Sequence, residues 1–372
     1  MRRRILTTAV TAAAAAAALV AATPLSASAH GDDGHEHGRS RAPRVTVVND
    51  AVVAPFQLAL SRHAVYVADG GTSQVSRILR DGSLASVATG PQPGEVAGVA
   101  FDASGRSMAY TTTDYSNGTT QLVVQTGHRR MTVDLSAFEQ QHNPDADVTY
   151  GIENPSDCVQ QAFAPLGGAT MKGGIDSHPY SVASLGHGAW VVADAGGNDL
   201  LKVDGKGHVS VIAVLPRQPL EITADIAAGL GLPDCVVGVT YNFEPVPTDV
   251  EVGEHGQLYV SLLPGGPEDP SLGARGSVYR VGLSSGHSSK VAGGFLGATN
   301  LALGPDHTIY VAELFGGRIS MIKNGHVTPY LDLPGALAVE WGDGHLYAAT
   351  MAPMDDQGNP VGNGTVVRID RR

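Results

Sequence analysis

Residues 55–60 read Pro-Phe-Gln-Leu-Ala-Leu, and after a tight turn residues 65–69 read Val-Tyr-Val-Ala-Asp. Residues 298–303 (Ala-Thr-Asn-Leu-Ala-Leu) and 309–313 (Ile-Tyr-Val-Ala-Glu) repeat this pattern of an apolar strand, a turn and a strand that ends in a carboxylate. Repeats of about 40 to 50 residues with several short strands are typical of β-propellers, because one such unit cannot bury its apolar faces alone. We find six copies of the pattern, and the sequence therefore predicts a propeller.

The predicted architecture is all-β, a six-bladed β-propeller of four-stranded blades. The sixth repeat supplies only three strands, at residues 335–339, 345–350 and 365–369. A spare strand lies near the other end of the chain, at residues 44–49. Pairing this N-terminal strand with residues 365–369 would close the ring and cover a sheet edge that otherwise invites aggregation.

The first 29 residues have the features of a signal peptide. A basic start at residues 2–4 precedes an alanine-rich stretch at 9–22, and Ala27-Ser28-Ala29 fits a cleavage site. We therefore expect a secreted, extracytoplasmic protein, with the Sec and twin-arginine routes both open. Residues 30–43 are predicted to be a flexible segment rich in His and Asp, and residues 44–372 a single domain.

Composition narrows the range of partners. The net charge is −12, only 16% of residues are charged, and there are 47 glycines and 22 prolines. This turn-rich, acidic composition excludes a basic nucleic-acid-binding protein. No second apolar segment is long enough to span a bilayer, so we expect no stable membrane insertion. We expect a monomer that binds a small molecule, a glycan or a protein.

Two segments interrupt the repeat pattern, at residues 140–176 and 216–246. With the loops at 263–276 and 351–364 they are expected on one face of the propeller, the upper face, where the first strand of each blade begins. Variable loops on a rigid scaffold commonly carry function. Cys158 and Cys235 lie one in each insertion. In an exported chain, two cysteines most simply form one disulfide.

Polar residues at the upper end of the blades are candidates for a cation site. The third positions of the first strands are Gln57, Gly98, Ser181, Asp249, Asn300 and Ala336. The second strands end in carboxylates at Asp69, Asp194 and Glu313. Carboxylate and amide oxygens suit Ca²⁺ or Mg²⁺, so the candidate metal ligands are Asp249, Asn300, Glu313, Asp69 and Asp194. Capping of turn N–H groups is the alternative role for Asp69 and Asp194.

Candidate ligand-binding residues lie where blades three and four begin. His178 and Tyr180 follow the first insertion directly, and Glu244 precedes Asp249 in a proline-rich entry. Gln57 completes this group. A histidine at a channel mouth is suited to proton transfer or ligation, but a lone loop histidine is commonly only a satisfied polar residue. The sequence contains no H-E-x-x-H or P-loop motif, and no nucleophile or catalytic residue is identified.

Four stretches resemble the ScyD/ScyE family, exported proteins of actinobacteria and cyanobacteria named from gene clusters for the pigment scytonemin. They are HPYS at 178–181, VVADAGGNDL at 191–200, FEPVPTDVEV at 243–252 and LPGGPED at 263–269. The resemblance implies a signal peptide, a propeller of the NHL or lactonase type and an extracytoplasmic location. It implies no reaction. A weaker resemblance to streptogramin-lyase and gluconolactonase-like propellers implies metal ligands at the channel mouth, where Asp249, Asn300 and Glu313 would serve.

Two functions remain open on the sequence. The first is a binding propeller that uses its upper face for a small molecule, a glycan or a protein. The second is a metal-dependent lactonase, lyase or hydrolase with Ca²⁺ or Mg²⁺ at the channel mouth, where the metal would polarise a carbonyl group and a His or Glu would move a proton.

Overall fold

Short β-strands dominate the computed structural model, which describes residues 43–370 except residue 356. In chain order they begin with β1 (Arg44–Val52), β2 (Pro55–Ser61), β3 (Ala64–Asp69), β4 (Gln74–Ile78), β5 (Leu84–Thr89), β6 (Gly94–Phe101), β7 (Ser107–Asp114), β8 (Thr119–Thr126), β9 (Arg129–Asp134), β10 (Thr149–Gly151), β11 (Thr170–Lys172), β12 (Pro179–Gly186), β13 (Ala189–Asp194) and β14 (Asp199–Val203). They continue with β15 (Val209–Val214), β16 (Gln218–Glu221), β17 (Thr240–Phe243), β18 (Pro247–Val252), β19 (Gln257–Leu262), β20 (Gly276–Gly282), β21 (Ser288–Phe295), β22 (Ala298–Leu303), β23 (Ile309–Glu313), β24 (Arg318–Lys323), β25 (His326–Asp332), β26 (Ala336–Gly342), β27 (His345–Thr350) and β28 (Gly364–Asp370).

Helices are short and lie in or beside the two insertions. They are α1 (Leu135–His142), α2 (Asp157–Phe163) and α3 (Ala224–Gly229). Each begins at a capping side chain, because Asp134, Ser156 and Thr223 accept hydrogen bonds from the first turn of the helix that follows. None of the helices within the described residues has the length and apolar composition that a membrane crossing requires.

The strands form seven four-stranded antiparallel sheets. Five are consecutive in sequence: β2–β5, β6–β9, β12–β15, β18–β21 and β22–β25. The sixth has the order β1-β28-β27-β26. One end strand from each of these six sheets contacts its counterparts in the two neighbouring sheets. The cyclic order is β2, β6, β12, β18, β22, β26 and back to β2. We call these six the ring strands.

The N-terminal strand completes the sixth sheet, as the sequence predicts. β1 pairs antiparallel with β28, with Arg44 opposite Asp370 and Val52 opposite Gly364. Val52 is fully buried and packs with Leu58 and Val366 between the sixth sheet and the sheet of β2–β5. Similar apolar layers fill the spaces between the other neighbouring sheets.

The seventh sheet joins the two insertions in the order β11-β10-β17-β16. Its two halves meet where Gly151 of β10 pairs with Asn242 of β17. A separate apolar core containing Ile152, Phe163 and Ile222 lies against it. We call residues 140–176 and 216–246 together the insertion module. The sequence predicts these segments as loops, since strands of three or four residues leave no readable alternation.

The predicted disulfide between Cys158 and Cys235 is present and links α2 to the turn Asp234–Val236. It therefore joins the two halves of the insertion module at a second point. The predicted signal peptide, residues 1–29, and nearly all of the predicted flexible segment, residues 30–43, lie outside the described residues.

Removing β1 tests the closure of the sixth sheet. A chain that begins at residue 53 leaves one edge of β28 unpaired and uncovers the apolar layer that Val52 completes. We expect its free energy of unfolding to fall by several kcal/mol relative to a matched chain that begins at residue 43. Urea denaturation followed by circular dichroism measures the difference, and equal midpoints would show that β1 contributes nothing to closure.

Candidate functional site

The ring strands share an irregularity at their upper end. In β2, β12, β18, β22 and β26 the pairing register shifts between the first and third residues, as at Pro55 and Gln57, and β6 has a related shift between Val96 and Val99. A bulge of this kind leaves backbone groups of the strand unpaired. Each ring strand is also an edge strand of its sheet, so the N–H groups on its unpaired side have no partner within the sheet. These N–H groups need other acceptors.

The third-position side chains provide those acceptors. Asp249 Oδ2 accepts from the N–H of Leu301 at 2.9 Å, and Asn300 Oδ1 accepts from the N–H of Val339 at 2.8 Å. Ser181 Oγ accepts from the N–H of Val250 at 3.3 Å. Each bond runs from one ring strand to the next, so the polar third positions fasten neighbouring sheets together.

Gln57 spans two junctions because Gly98 has no side chain. Its Oε1 accepts from the N–H of Val99 at 2.8 Å and from the N–H of Val182 at 3.3 Å. Its Nε2 donates to Ser181 Oγ at 2.9 Å. A Cβ atom at Gly98 would lie 3.1 Å from Ser181 Cα. Gly98 therefore allows the close approach through which Gln57 reaches the third sheet.

One sequence alignment was wrong by two residues. Ala336 was predicted at the third position of its strand, but the register places Ala338 opposite Ala349 as Asn300 lies opposite Ala312. The methyl group of Ala338 cannot accept a hydrogen bond, so the third position of β26 provides no acceptor.

Asp249 is the most completely enclosed member of this set. Ser181 Oγ donates to its Oδ1 at 2.6 Å and Gln57 Nε2 donates to the same atom at 3.2 Å. Burial raises the pKa of Asp249 to about 6, against the opposing effect of these hydrogen bonds. Below it on the channel wall, burial and mutual repulsion with Asp249 raise the pKa of Glu251 and Glu340 well above the ordinary value.

Asp69 and Asp194 occupy equivalent positions and hold the chain that enters their own sheets. Asp69 accepts from the N–H groups of Val53 at 2.9 Å and Ala54 at 2.8 Å. Asp194 accepts from the N–H of His178 and from Ser177 Oγ, both at 2.6 Å. Each also accepts from a glycine N–H in the following turn. These are the bonds expected for the capping alternative.

Glu313 has the corresponding role in the fifth sheet. Its Oε2 accepts from the N–H of Leu296 at 2.6 Å, in the segment that enters β22. Arg318 donates to both carboxylate oxygens, and Ser320 Oγ donates to Oε1. Among residues 43–370 no group of three or more His, Cys, Asp and Glu side chains is arranged to hold a metal ion as it stands. A metal bound by Asp249, Asn300 and Glu313 stays a prediction.

His178 forms an ion pair with a residue that the sequence analysis missed. Its Nε2 contacts Oε1 of Glu95, which is the second residue of β6, and Tyr115 Oη donates to the other carboxylate oxygen at 2.6 Å. The side chain of His178 is 28% exposed and that of Glu95 is 6% exposed. Burial lowers the pKa of His178, but the charge of Glu95 outweighs it and raises the pKa to about 8.

Aromatic and acidic groups surround this pair at the channel mouth. The Tyr180 ring lies 5.9 Å from the His178 ring and 4.9 Å from the Phe56 ring, centroid to centroid. The loop between β19 and β20 brings in Glu268, on which the charge of His178 acts to lower the pKa against the raising effect of burial. The structure thus places His178 and Tyr180 side by side, and their role in ligand binding stays a prediction.

Glu244 lies in a different environment. Its Oε1 accepts from Asn198 Nδ2 at 3.3 Å, and the same amide donates to Asp145 at 3.1 Å. Burial raises the pKa of Glu244, and the charges of Asp145 and Asp176 add to the shift. The predicted ligand-binding residue Glu244 therefore borders an acidic cluster under the insertion module.

An apolar cavity of about 290 Å³ opens between the insertion module and the loop that joins β19 to β20. Its walls include Phe163, Ile222, Ile226, Leu230, Tyr241 and Phe243. The rings of Phe163 and Tyr241 stack with their centroids 5.6 Å apart, and Arg275 lies 4.5 Å from the centroid of Phe243. No local motif in the sequence marks these residues, because they come together only when the two insertions share a sheet.

Comparisons with known proteins extend only to the fold. No protein-family model and no curated protein matches the chain. A gluconolactonase from Xanthomonas campestris is similar, with a TM-score of 0.53 and 10% identity over 89% of this chain and 90% of the other. A putative glucose dehydrogenase from Thermus thermophilus has a TM-score of 0.52 and 16% identity over 88% of this chain and 100% of the other.

An aldose sugar dehydrogenase from Streptomyces coelicolor, solved with PQQ bound, has a TM-score of 0.51 and 13% identity over 89% of this chain and 100% of the other. At such low identity these likenesses support a β-propeller fold and carry no information about activity.

Asp249 variants test whether this carboxylate serves the ring. Asp249→Ala leaves the N–H of Leu301 and the hydroxyl group of Ser181 without their acceptor. Each buried unpaired donor costs about 1–3 kcal/mol, so we expect the free energy of unfolding to fall by roughly 3 kcal/mol or more. Asp81→Ala, which removes an exposed hairpin carboxylate, is the control and should change it by less than about 1 kcal/mol.

Asp249→Asn adds a pH test. A carboxyl group whose pKa rises on folding binds more protons in the folded state, so wild-type stability should decrease as the pH rises from about 4 to about 6. The Asn variant keeps an acceptor for Leu301 but does not titrate. The difference between the two proteins should therefore depend on pH in this window, and a constant difference would contradict the assignment.

Proposed function

We propose that this protein is an exported ligand-binding propeller that takes up a small apolar, ring-bearing molecule in the cavity of its insertion module. The observation that carries the proposal is the cavity itself, a space of about 290 Å³ whose walls are almost entirely aliphatic and aromatic. Ligand sites in proteins are typically concave and apolar with a few polar groups. Here Tyr241 lines the cavity, and Arg275 lies beside the ring of Phe243 in its wall.

The size of the cavity limits the ligand. Its volume is close to the lower end of the range for small-molecule sites, roughly 300 Å³. It is about twice the volume of a cavity that accommodates benzene. A ligand of one or two rings therefore fits, and stacking on Phe163 and Tyr241 would favour a flat ring.

The proposal also covers the number of blades, the family, the export of the protein and its oligomeric state. The cyclic contacts of six ring strands support six blades, with the seventh sheet as an addition on the rim. We also propose membership of the ScyD/ScyE family, on the four sequence stretches that resemble it. The disulfide supports export, since such bonds persist in oxidising compartments. A monomer without affinity for nucleic acid completes the proposal.

Ligand uptake is testable with the fluorescent probe 1-anilinonaphthalene-8-sulfonate. Leu230 lines the cavity and is 44% exposed, whereas Val237 is 41% exposed in the same insertion but lies outside the cavity. We expect the probe to bind the wild-type protein, Leu230→Asp to weaken binding at least about tenfold, and Val237→Asp to leave it unchanged. Equal binding by all three proteins would rule the cavity out as the site.

A second candidate function rests on the ion pair of His178 with Glu95 at the channel mouth. A half-buried imidazolium held by a carboxylate and facing the channel is suited to donate a proton to a leaving group, as a lactonase, lyase or other hydrolase requires. The aromatic rings of Phe56 and Tyr180 and the carboxylate of Glu268 would border its substrate.

The state of His178 decides whether this candidate is chemically possible. A pKa of about 8 means that the pair stabilises the fold below about pH 6.5 and that this stabilisation is lost as the pH rises through 8. We expect NMR titration to give His178 a pKa near 8 and Glu95→Gln to lower this pKa, because burial then opposes only the weaker charges of Asp194 and Asp176. Hydrolysis of a test lactone should then disappear in His178→Asn and persist in the exposed control His187→Asn. Activity that survives His178→Asn would remove the candidate.

A further inference from the structure

A second cluster of carboxylates lies apart from the channel, where the first insertion meets the sheet of β12–β15. It comprises Glu139 of α1, Asp194 at the end of β13 and Asp199 at the start of β14, with Asp145 beside them. All four are almost completely buried, with exposed fractions of 4%, 1%, 1% and 0% respectively. We call this group the acidic pocket.

The side chains of the acidic pocket converge on one residue, Gly197. A carbon atom at the absent Cβ position of Gly197 would lie 3.5 Å from Asp199 Oδ1 and 3.5 Å from Glu139 Oε2. The same point is 3.6 Å from Asp194 Cγ. There is thus space for one atom between three carboxylates, and it exists because residue 197 has no side chain.

Unlike the carboxylates of the ring, Asp199 accepts no hydrogen bond at its side chain, whereas Asp194 keeps its bonds from His178 and Ser177. Both carboxylate oxygens of Asp199 have no hydrogen-bond partner, and neither has Glu139 Oε1 or Asp145 Oδ1. Within the described part of the chain none of the four residues forms an ion pair with a basic side chain. Asp194 and Asp199 are also directly opposite each other in the ladder, where like charges repel.

A buried carboxylate without a partner must be neutralised by a proton or by a cation. Burial raises the pKa of Glu139 to about 7, with Asp194 and Asp145 adding to the shift, and raises the pKa of Asp199 well above the ordinary value. The charge to be balanced is therefore concentrated on Glu139 and Asp199. The free Oδ1 of Asp199 faces the space at Gly197, where Glu139 presents its Oε2 while its Oε1 is the oxygen without a partner.

We propose that Glu139, Asp194 and Asp199 bind one divalent cation of the Ca²⁺ type beside Gly197. Ca²⁺ binds six to eight oxygen atoms at about 2.3–2.6 Å, so oxygens now 3.5 Å from this point must close by about 1 Å. Asp199 achieves this by side-chain rotation, since neither of its carboxylate oxygens is held by a hydrogen bond, and Glu139 by turning a carboxylate whose Oε1 accepts none. Water completes the shell. Asp145 strengthens the local negative field. The cation joins α1 to β14 and so anchors the beginning of the insertion module.

The experiment follows thermal unfolding of the full-length protein after treatment with a chelator. Adding excess Ca²⁺ should raise the Tm of the wild-type protein by about 5 °C. Asp199→Asn and Glu139→Gln should abolish this shift, and without Ca²⁺ both should melt at or above the wild-type temperature, because each removes repulsion. Asp249→Asn, at the channel carboxylate, should keep the shift.

Two results would overturn the proposal. The first is a wild-type Tm that does not respond to Ca²⁺, Mg²⁺ or Mn²⁺, which would mean that protons neutralise the acidic pocket. The second is a Ca²⁺ shift that survives in Asp199→Asn but disappears in Asp249→Asn, which would place the cation in the channel.

Terbium luminescence of the wild-type protein tests ion binding in the acidic pocket even if Asp199→Asn or Glu139→Gln fails to fold. Tyr150 Oη donates to Asp145 at 2.9 Å, so excitation of this tyrosine should sensitise Tb³⁺ bound in the acidic pocket of the wild-type protein. Added Ca²⁺ should displace the signal, and Tyr150→Phe should reduce it severalfold. Emission that is unchanged in Tyr150→Phe would place the ion elsewhere and contradict the proposal.

Discussion

The ring of sheets depends on one hydrogen bond that recurs from strand to strand: the backbone N–H of one ring strand donates to a side chain on the preceding ring strand. These strands are the edges of their sheets, so the N–H groups on their unpaired side have no partner within the sheet. Each unpaired group would cost about 1–3 kcal/mol, so an acceptor at the third position stabilises the junction that it spans, although Ala338 of β26 provides none. Asp249 and Asn300 satisfy single junctions, and Gln57 satisfies two because Gly98 lies between them.

This constraint explains why polar residues at the channel mouth resemble a cation site in sequence. A carboxylate that binds a metal and one that accepts N–H groups are the same residue type at the same strand position, and only the surrounding donors distinguish them. Asp69 and Glu313 each accept several hydrogen bonds, from the segment that enters their sheet among others. Asp199 accepts none at its side chain. The physical evidence for a bound ion is therefore strongest at a residue that sequence reasoning did not select.

The periodicity of the repeats predicts the alternating strands, the pairing of β1 with β28, and the face on which the insertions are expected. The disulfide follows from the number of cysteines and their places in neighbouring insertions. Contacts between distant segments were not predictable in this way. Glu95 meets His178 across 83 residues, and the insertion sheet depends on strands too short to show a period. A binding role for His178 and Tyr180 stays a prediction, and Glu95, which has the largest charge effect on the pKa of His178, comes from another sheet.

The insertion module must stay in one conformation if its cavity is to hold a ligand, and three kinds of interaction restrain it. The shared sheet and the disulfide between Cys158 and Cys235 join its two halves to each other. Neither fixes the module to the ring. Hydrogen bonds from Asn198 to Asp145 and from Ser277 to Gln218 attach it there. In addition, α1 follows β9 and carries Glu139 into the acidic pocket beside Asp199. Without a cation this contact is repulsive, and with one it becomes attractive. The cation site and the ligand cavity are thus separate, yet cation binding would determine how rigidly the walls of the cavity are held.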